Sequence, residues 1–160
     1  MGSFPRPRLL FDRPPETLRS AFLITAGGAF TLEDCRLSAE RAARALAGAG
    51  VEPGRRVAVR AAAAPEVVVL FLALWRAGAV VVPVSPRCPP RQIAAHLLAS
   101  GCSLAVCDAA HGDLPPSVRV LPLGEIVTLA KAREFSEAPT DPTSLIPGPW
   151  PRDATIIFTS

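Results

Sequence analysis

Pro65-Glu-Val-Val-Val-Leu-Phe-Leu-Ala-Leu-Trp-Arg-Ala-Gly78 and the run after it, Ala79-Val-Val-Val-Pro83, decide the fold of this chain. Proline is tolerated in a first helical turn because its missing N–H has no intrahelical partner there, and Glu66 sets negative charge at the positive end of the helix dipole. From Val67 to Trp75 every residue is apolar, so the sequence predicts a buried helix running to about Ala77 and stopped by Gly78. Val80, Val81 and Val82 are β-branched without polar alternation, the pattern of a strand covered on both faces, and Pro83 ends it. The competing reading, a membrane span over Val67 to Val84, is interrupted by Arg76, Gly78 and Pro83. A crossing wants about 20 predominantly apolar residues, so no membrane span is expected.

The same rhythm recurs on either side. Upstream, Leu32, Cys35, Ala39, Ala42, Ala43, Leu46 and Ala49 follow helical spacing, with Glu33, Asp34, Glu40, Arg41 and Arg44 on the other side. This is an amphipathic helix capped by Thr31 and ending near Gly48 or Gly50, followed by a strand at Val57 to Ala61. The glycines of Gly48-Ala-Gly50-Val-Glu-Pro-Gly54 look like a dinucleotide fingerprint, but that fingerprint follows a strand and opens a helix; here the order is reversed, so they form a helix C-cap and a turn. Downstream, the loop from Ser85 to Pro90 leads to a helix near 89–100, capped by Gly101, and a strand from Ser103 to Cys107.

Strand, helix, strand, helix, strand implies an α/β fold: a mainly parallel sheet flanked by helices near 32–48, 65–77 and 89–100. Weaker signals suggest a hairpin of two short strands about Gly27-Gly28, the first at Ala21 to Thr25. They also suggest a strand at Val118 to Leu121, a short helix at Gly124 to Arg133 and a strand at Ala154 to Phe158. Residues 1–19 form a Pro-rich lead-in and 139–151 an irregular Pro-rich segment, so 1–160 reads as one partial domain.

A chain 49% hydrophobic and 19% charged is folded rather than disordered. A net charge of +3 is too mild for a nucleic-acid partner, and Arg36, Arg41 and Arg44 alternate with acids and lack an aromatic ladder, as on a solvated helix face. Cys35, Cys88, Cys102 and Cys107 contain no CxxC pair and no histidines at finger spacing, so they read as buried reduced thiols with no metal. The N-terminus has no apolar core of signal-peptide length, which makes the cytoplasm the expected location. No GxxxxGK or GxSxG is present, and Lys131 is the only lysine. His96, among Ala and Leu in a helix, reads as structural, and His111 as a loop residue, so no catalytic residue is assigned. Nothing covers the strand ending at Thr159-Ser160, and the chain is expected to be cut there.

Three stretches carry a resemblance. Thr31-Leu-Glu-Asp, with the helix Ala39 to Val51 and Pro53-Gly-Arg-Arg-Val-Ala-Val59, is similar to the opening of the adenylate-forming superfamily of acyl-CoA synthetases, luciferases and peptide-synthetase adenylation domains. Ala64-Pro-Glu66 and Leu74-Trp-Arg-Ala-Gly-Ala-Val-Val-Val-Pro-Val-Ser-Pro86 resemble its N-x-P-E helix start and its L-x-A-G-A-x-x-V-P segment. Asp153 to Ser160 resembles the strand entering its glycine-rich phosphate loop, whose N–H groups and hydroxyls wrap the phosphates of ATP. Only Thr159 and Ser160 of that loop are present, and the resemblance makes them the cofactor-binding residues.

The resemblance implies the N-terminal part of the large domain of an ATP-dependent acid-CoA ligase. The parent would use ATP, Mg²⁺ and coenzyme A on a small-molecule carboxylic acid, with a homodimer compatible with the family. Val82-Pro-Val-Ser-Pro-Arg-Cys-Pro-Pro90 and the compact path from Pro83 to Thr159 resemble o-succinylbenzoate-CoA ligase of menaquinone biosynthesis. Other acyl-CoA synthetases and peptide-synthetase adenylation are the alternatives, and a truncated scaffold or pseudoenzyme is the non-enzymatic one. The 160-residue chain alone is expected to be inactive, with no ligand bound.

Overall fold

The computed structural model describes residues 19–25, 28–108 and 114–131. A hairpin opens it: β1, Ala21–Thr25, pairs antiparallel with β2, Gly28–Thr31. Helix α1, Leu32–Gly48, leads to β3, Arg56–Arg60; α2, Pro65–Arg76, leads to β4, Val80–Pro83. Helix α3, Pro90–Ser100, leads to β5, Leu104–Cys107; β6, Arg119–Pro122, runs into α4, Leu123–Lys131. The sheet has the order β4-β3-β5-β6 and is parallel throughout, with Val57 level with both Val81 and Leu104. The parallel α/β expectation therefore holds, with strand and helix bounds within about two residues of those read from sequence. The expected strand at 154–158, His111 and both Pro-rich segments lie outside the described residues, apart from Arg19.

Alternation along the strands divides the core. Val57, Val59, Val81, Leu104 and Val106 face α1, α2 and α4, whereas Ala58, Val82, Ala105 and Cys107 face α3 through Ile93 and Leu97. Covering both faces is what excludes polar residues from the middle of these strands, the arginines of β3 standing only at its two ends. Helix α2 is not buried all round, as its composition suggests. Leu70, Leu72, Ala73 and Leu74 are buried, but Val67, Val68, Phe71 and Trp75 are half-exposed, because a helix lying on one face of a sheet turns its far side outward. Phe71 and Trp75 meet edge to face on that side at 5.9 Å. Among the described residues no helix is long and apolar enough to cross a membrane.

One device closes three helices. At the ends of α1, α2 and α3 the N–H groups of a glycine and the next residue turn back onto the last carbonyls: Gly50 to Ala47 and Val51 to Leu46, Gly78 to Trp75 and Ala79 to Leu74, Gly101 to Leu98 and Cys102 to Leu97. This is the Schellman pairing, which needs a left-handed residue. Arginines at the amino ends of the strands complete two of these ends, those of α1 and α3. Arg55 donates to Gly50 O at 3.1 Å, Arg119 to Ala49 O at 2.9 Å and Arg56 to Ser100 O at 2.9 Å, placing cations at negative helix termini.

The polar side of α1 is less solvated than its spacing suggests. Arg36 bonds Glu33 at 2.6 Å and Glu40 at 2.9 Å, and Glu40 also lies 3.7 Å from Arg76 of α2, a residue only 3% exposed. Glu40 faces α2 instead of water because a buried guanidinium needs a carboxylate.

At Gly78, φ is 74° and an added Cβ would meet Pro53 Cβ at 3.2 Å. Gly78→Ala should therefore cost about 1–2 kcal/mol or more in urea unfolding. Gly124→Ala, in open space within α4, should be neutral or stabilising by up to about 1 kcal/mol.

At the start of α1, Thr31 Oγ1 accepts from Asp34 N–H at 3.1 Å while Asp34 Oδ2 accepts from Thr31 N–H at 2.9 Å, a capping box. The Thr31 hydroxyl, which donates to Asp34 Oδ2 at 2.7 Å, and then the Thr31 N–H hold the Asp34 carboxyl below its usual range. A depressed carboxyl contributes stability that is complete above its unfolded value and lost as pH falls through the folded one. The gap in urea midpoint between the wild type and Asp34→Ala should thus be largest near neutrality and narrow on acidification below about pH 4.

Candidate functional site

Neighbouring strands whose connections diverge leave a crevice at their carboxyl ends, the usual ligand position in an open α/β sheet. Here β3 and β5 are those neighbours: the chain leaves β3 toward β4 and leaves β5 toward β6. Arg60 ends β3 and Asp108 follows β5. The Asp108 Oδ2 accepts from Ala62 N–H at 2.6 Å, and its own N–H reaches Arg60 O at 3.4 Å. Arg60 Nη2 donates to Pro86 O at 3.3 Å, tying the loop after β4 to the end of β3. Within that loop Ser85 Oγ accepts from Arg87 N–H at 3.2 Å and Ser85 O from Cys88 N–H at 3.0 Å, a turn fixed by serine and proline chemistry.

Beside this edge a cavity of about 280 Å³ opens between the hairpin, α1, α2 and α4. Leu23, Cys35, Leu70 and Ile126 form its apolar floor, and Asp34, Ser38, Arg41 and Glu66 lie around it. The size and composition suit binding of a small apolar group. Among the described residues, neither the crevice nor the cavity shows a nucleophile hydrogen-bonded to a base. Among the described residues no three His, Cys, Asp or Glu side chains gather to hold a metal ion.

Thr159 and Ser160, the binding residues expected from the sequence, lie outside the described residues, as does His111. His96 is half-buried in α3 and joins no site. Arg60 and Asp108 escaped the sequence reading. Their signal was positional, since residues immediately after the parallel strands of an α/β sheet line its ligand edge.

This architecture, an open parallel sheet with helices on both faces and a crevice at its switch point, is of the ligand-binding α/β class. Residues 12–160 match the family described as AMP-binding enzyme, and the chain belongs to that family. The 4-coumarate–CoA ligase 1 of Oryza sativa subsp. japonica is 32% identical over 120 residues, covering 72% of this chain and 21% of the relative. Phosphinothricin tripeptide synthetase PhsB of Streptomyces viridochromogenes is 32% identical over 157 residues, covering 96% of this chain and 13% of the relative. AMB antimetabolite synthetase AmbE of Pseudomonas aeruginosa is 37% identical over 87 residues, and this chain spans only 4% of its length. Among solved structures, Klebsiella oxytoca NpsA in complex with 3-hydroxyanthranilyl-AMSN superposes with a TM-score of 0.60 at 27% identity, over 62% of this chain and 20% of that one. VinN in complex with L-aspartate superposes with a TM-score of 0.80 at 22% identity, over 95% of this chain and 40% of VinN, a likeness of fold.

All four cysteines are free thiols, but Cys88 is half-buried, unlike Cys35, Cys102 and Cys107. It sits in the loop after β4, where Sγ bonds Gln92 Oε1 at 3.4 Å. Burial pushes the Cys35 and Cys102 thiols above their ordinary range. Since the thiolate is the reactive form, Cys88 should be modified by a thiol reagent at pH 8 at least tenfold faster than Cys35 or Cys102. Peptide mapping of the labelled native chain checks this order.

Proposed function

We propose that this chain is the N-terminal part of an ATP-dependent ligase that activates a carboxylic acid. In the first step a carboxylate oxygen attacks the α-phosphorus of ATP, the bond to the β-phosphate breaks, and an acyl-adenylate and pyrophosphate result. In the second, a thiol sulfur attacks the acyl carbon, AMP leaves, and a thioester forms. The observation that carries this reading is the family match over residues 12–160, which runs into Asp153-Ala-Thr-Ile-Ile-Phe-Thr-Ser160. In it Thr159 and Ser160 begin the phosphate loop and donate hydrogen bonds to phosphate oxygens. Mg²⁺ would arrive with the nucleotide and neutralise phosphate charge. Dependence on ATP and a thiol cofactor accords with a cytoplasmic enzyme.

For the acid and the acceptor, the segment Val82 to Pro90 supports o-succinylbenzoate and coenzyme A. A second reading, adenylation of an amino or aryl acid for a carrier protein, is supported by likeness to PhsB and to NpsA, whose structure holds 3-hydroxyanthranilyl-AMSN.

ATP–pyrophosphate exchange tests both, on the polypeptide that carries residues 1–160 together with everything encoded after them. Exchange should depend on an added acid, and a panel of o-succinylbenzoate, 4-coumarate, a medium-chain fatty acid and amino acids ranks them by kcat/KM. Formation of o-succinylbenzoyl-CoA supports the first reading; exchange with amino or aryl acids but no CoA thioester supports the second. Thr159→Ala with Ser160→Ala should lower kcat/KM by about a hundredfold, the scale for losing aligned donors to developing charge. Exchange with no acid, in a folded protein, would end the ligase proposal.

A further inference from the structure

Three polar side chains that the fold leaves unengaged converge on one cavity. Ser38 and Arg41 on α1 and Glu66 on α2 line the space between the hairpin, α1, α2 and α4, and among the described residues none of them has a hydrogen-bond or ion-pair partner. The charged groups at the two ends of the strands differ, since Arg55, Arg56, Arg119, Arg60 and Asp108 are all bonded. Beneath the three, Cys35, Leu70 and Ile126 close the floor and are at most 4% exposed. Neither Arg60 nor Asp108 lines this space, so it is separate from the crevice between β3 and β5.

We propose that the cavity is a binding site for a small uncharged molecule, an aryl or alkyl group carrying one hydroxyl, held by the apolar floor and by Ser38 Oγ. Size comes first. An apolar cavity of roughly 150 Å³ takes benzene. The volume here, about 280 Å³, suits a ring with a short alkyl arm, about ten heavy atoms. Charge comes next. Asp34 and Glu66 at the mouth are opposed by Arg41 and by the positive amino ends of α1 and α2, which both begin there, each equivalent to about half a charge. These contributions about cancel, so an ion gains little at the mouth and loses its hydration on entering an apolar floor. The handle is Ser38. It is half-buried one turn after Asp34 and on the same side of α1 as Cys35, and its hydroxyl both donates and accepts. The inference uses no property of the ligase reading and stands without it.

Binding is measured on the polypeptide that carries residues 1–160 together with everything encoded after them, by isothermal titration with 4-propylphenol, propylbenzene, 3-phenylpropionate and 3-phenylpropylamine. The phenol should bind with a Kd below about 1 mM and about tenfold or more tightly than either ion. Saturating phenol should slow reaction of Cys35 with methyl methanethiosulfonate by about fivefold or more, while Cys88, outside the cavity, reacts as before. Ser38→Ala should weaken 4-propylphenol by about threefold or more without changing propylbenzene, the loss of one neutral hydrogen bond. Val69→Phe, which extends a lining side chain into the space, should weaken both by about tenfold or more at an undiminished urea midpoint. If that midpoint falls, protection of Cys35 in the wild type decides. Absence of binding, an ion bound as tightly as the phenol, or an unprotected Cys35 would overturn the site.

Discussion

Everything described here hangs on β3 being a central parallel strand. Parallel neighbours cannot be joined by a tight turn, so the chain must leave each carboxyl end, cross a face as a helix and return to the amino end. That requirement makes β3, β4 and β5 apolar on both faces and sets α2 and α3 on opposite sides of the sheet. It also creates the crevice, since the two connections leaving β3 and β5 diverge.

Short strands give this arrangement little tolerance at the returns. Only three residues separate α2 from β4 and α3 from β5 and seven separate α1 from β3, and the glycine closures at Gly50, Gly78 and Gly101 turn the chain there by folding two N–H groups back onto the helix. The guanidinium groups of Arg55 and Arg119 then bond carbonyls at the end of α1, and that of Arg56 bonds one at the end of α3. The amino edge of the sheet thus carries structural arginines, while the carboxyl edge carries Arg60, bonded to Pro86 O, and Asp108, bonded to Ala62 N–H.

The candidate site was less legible than the fold. Arg60 and Asp108 are ordinary charged residues in the sequence, and only the adjacency of β3 and β5, separated in the chain by α2, β4 and α3, brings Ala62 N–H onto Asp108. Glu40 misled for a related reason: helical spacing places it on the polar side of α1, but the neighbour that buries it, Arg76, belongs to another helix. Cys88 misled because residue type was taken as a guide to burial, whereas its loop position governs.

By itself the sequence determined the elements and their class. Pro65, Gly78 and Pro83 punctuate the chain through backbone constraints, the Thr31–Asp34 box is local, and the valine runs record burial on two faces. These signals act within a few residues and survive in a one-dimensional reading. Tertiary structure alone decided the strand order, the β3–β5 crevice, the cavity under the hairpin and the Glu40–Arg76 contact. Each depends on which distant segments become neighbours, and that is set by packing and hydrogen-bond satisfaction over the whole sheet, which no local pattern encodes.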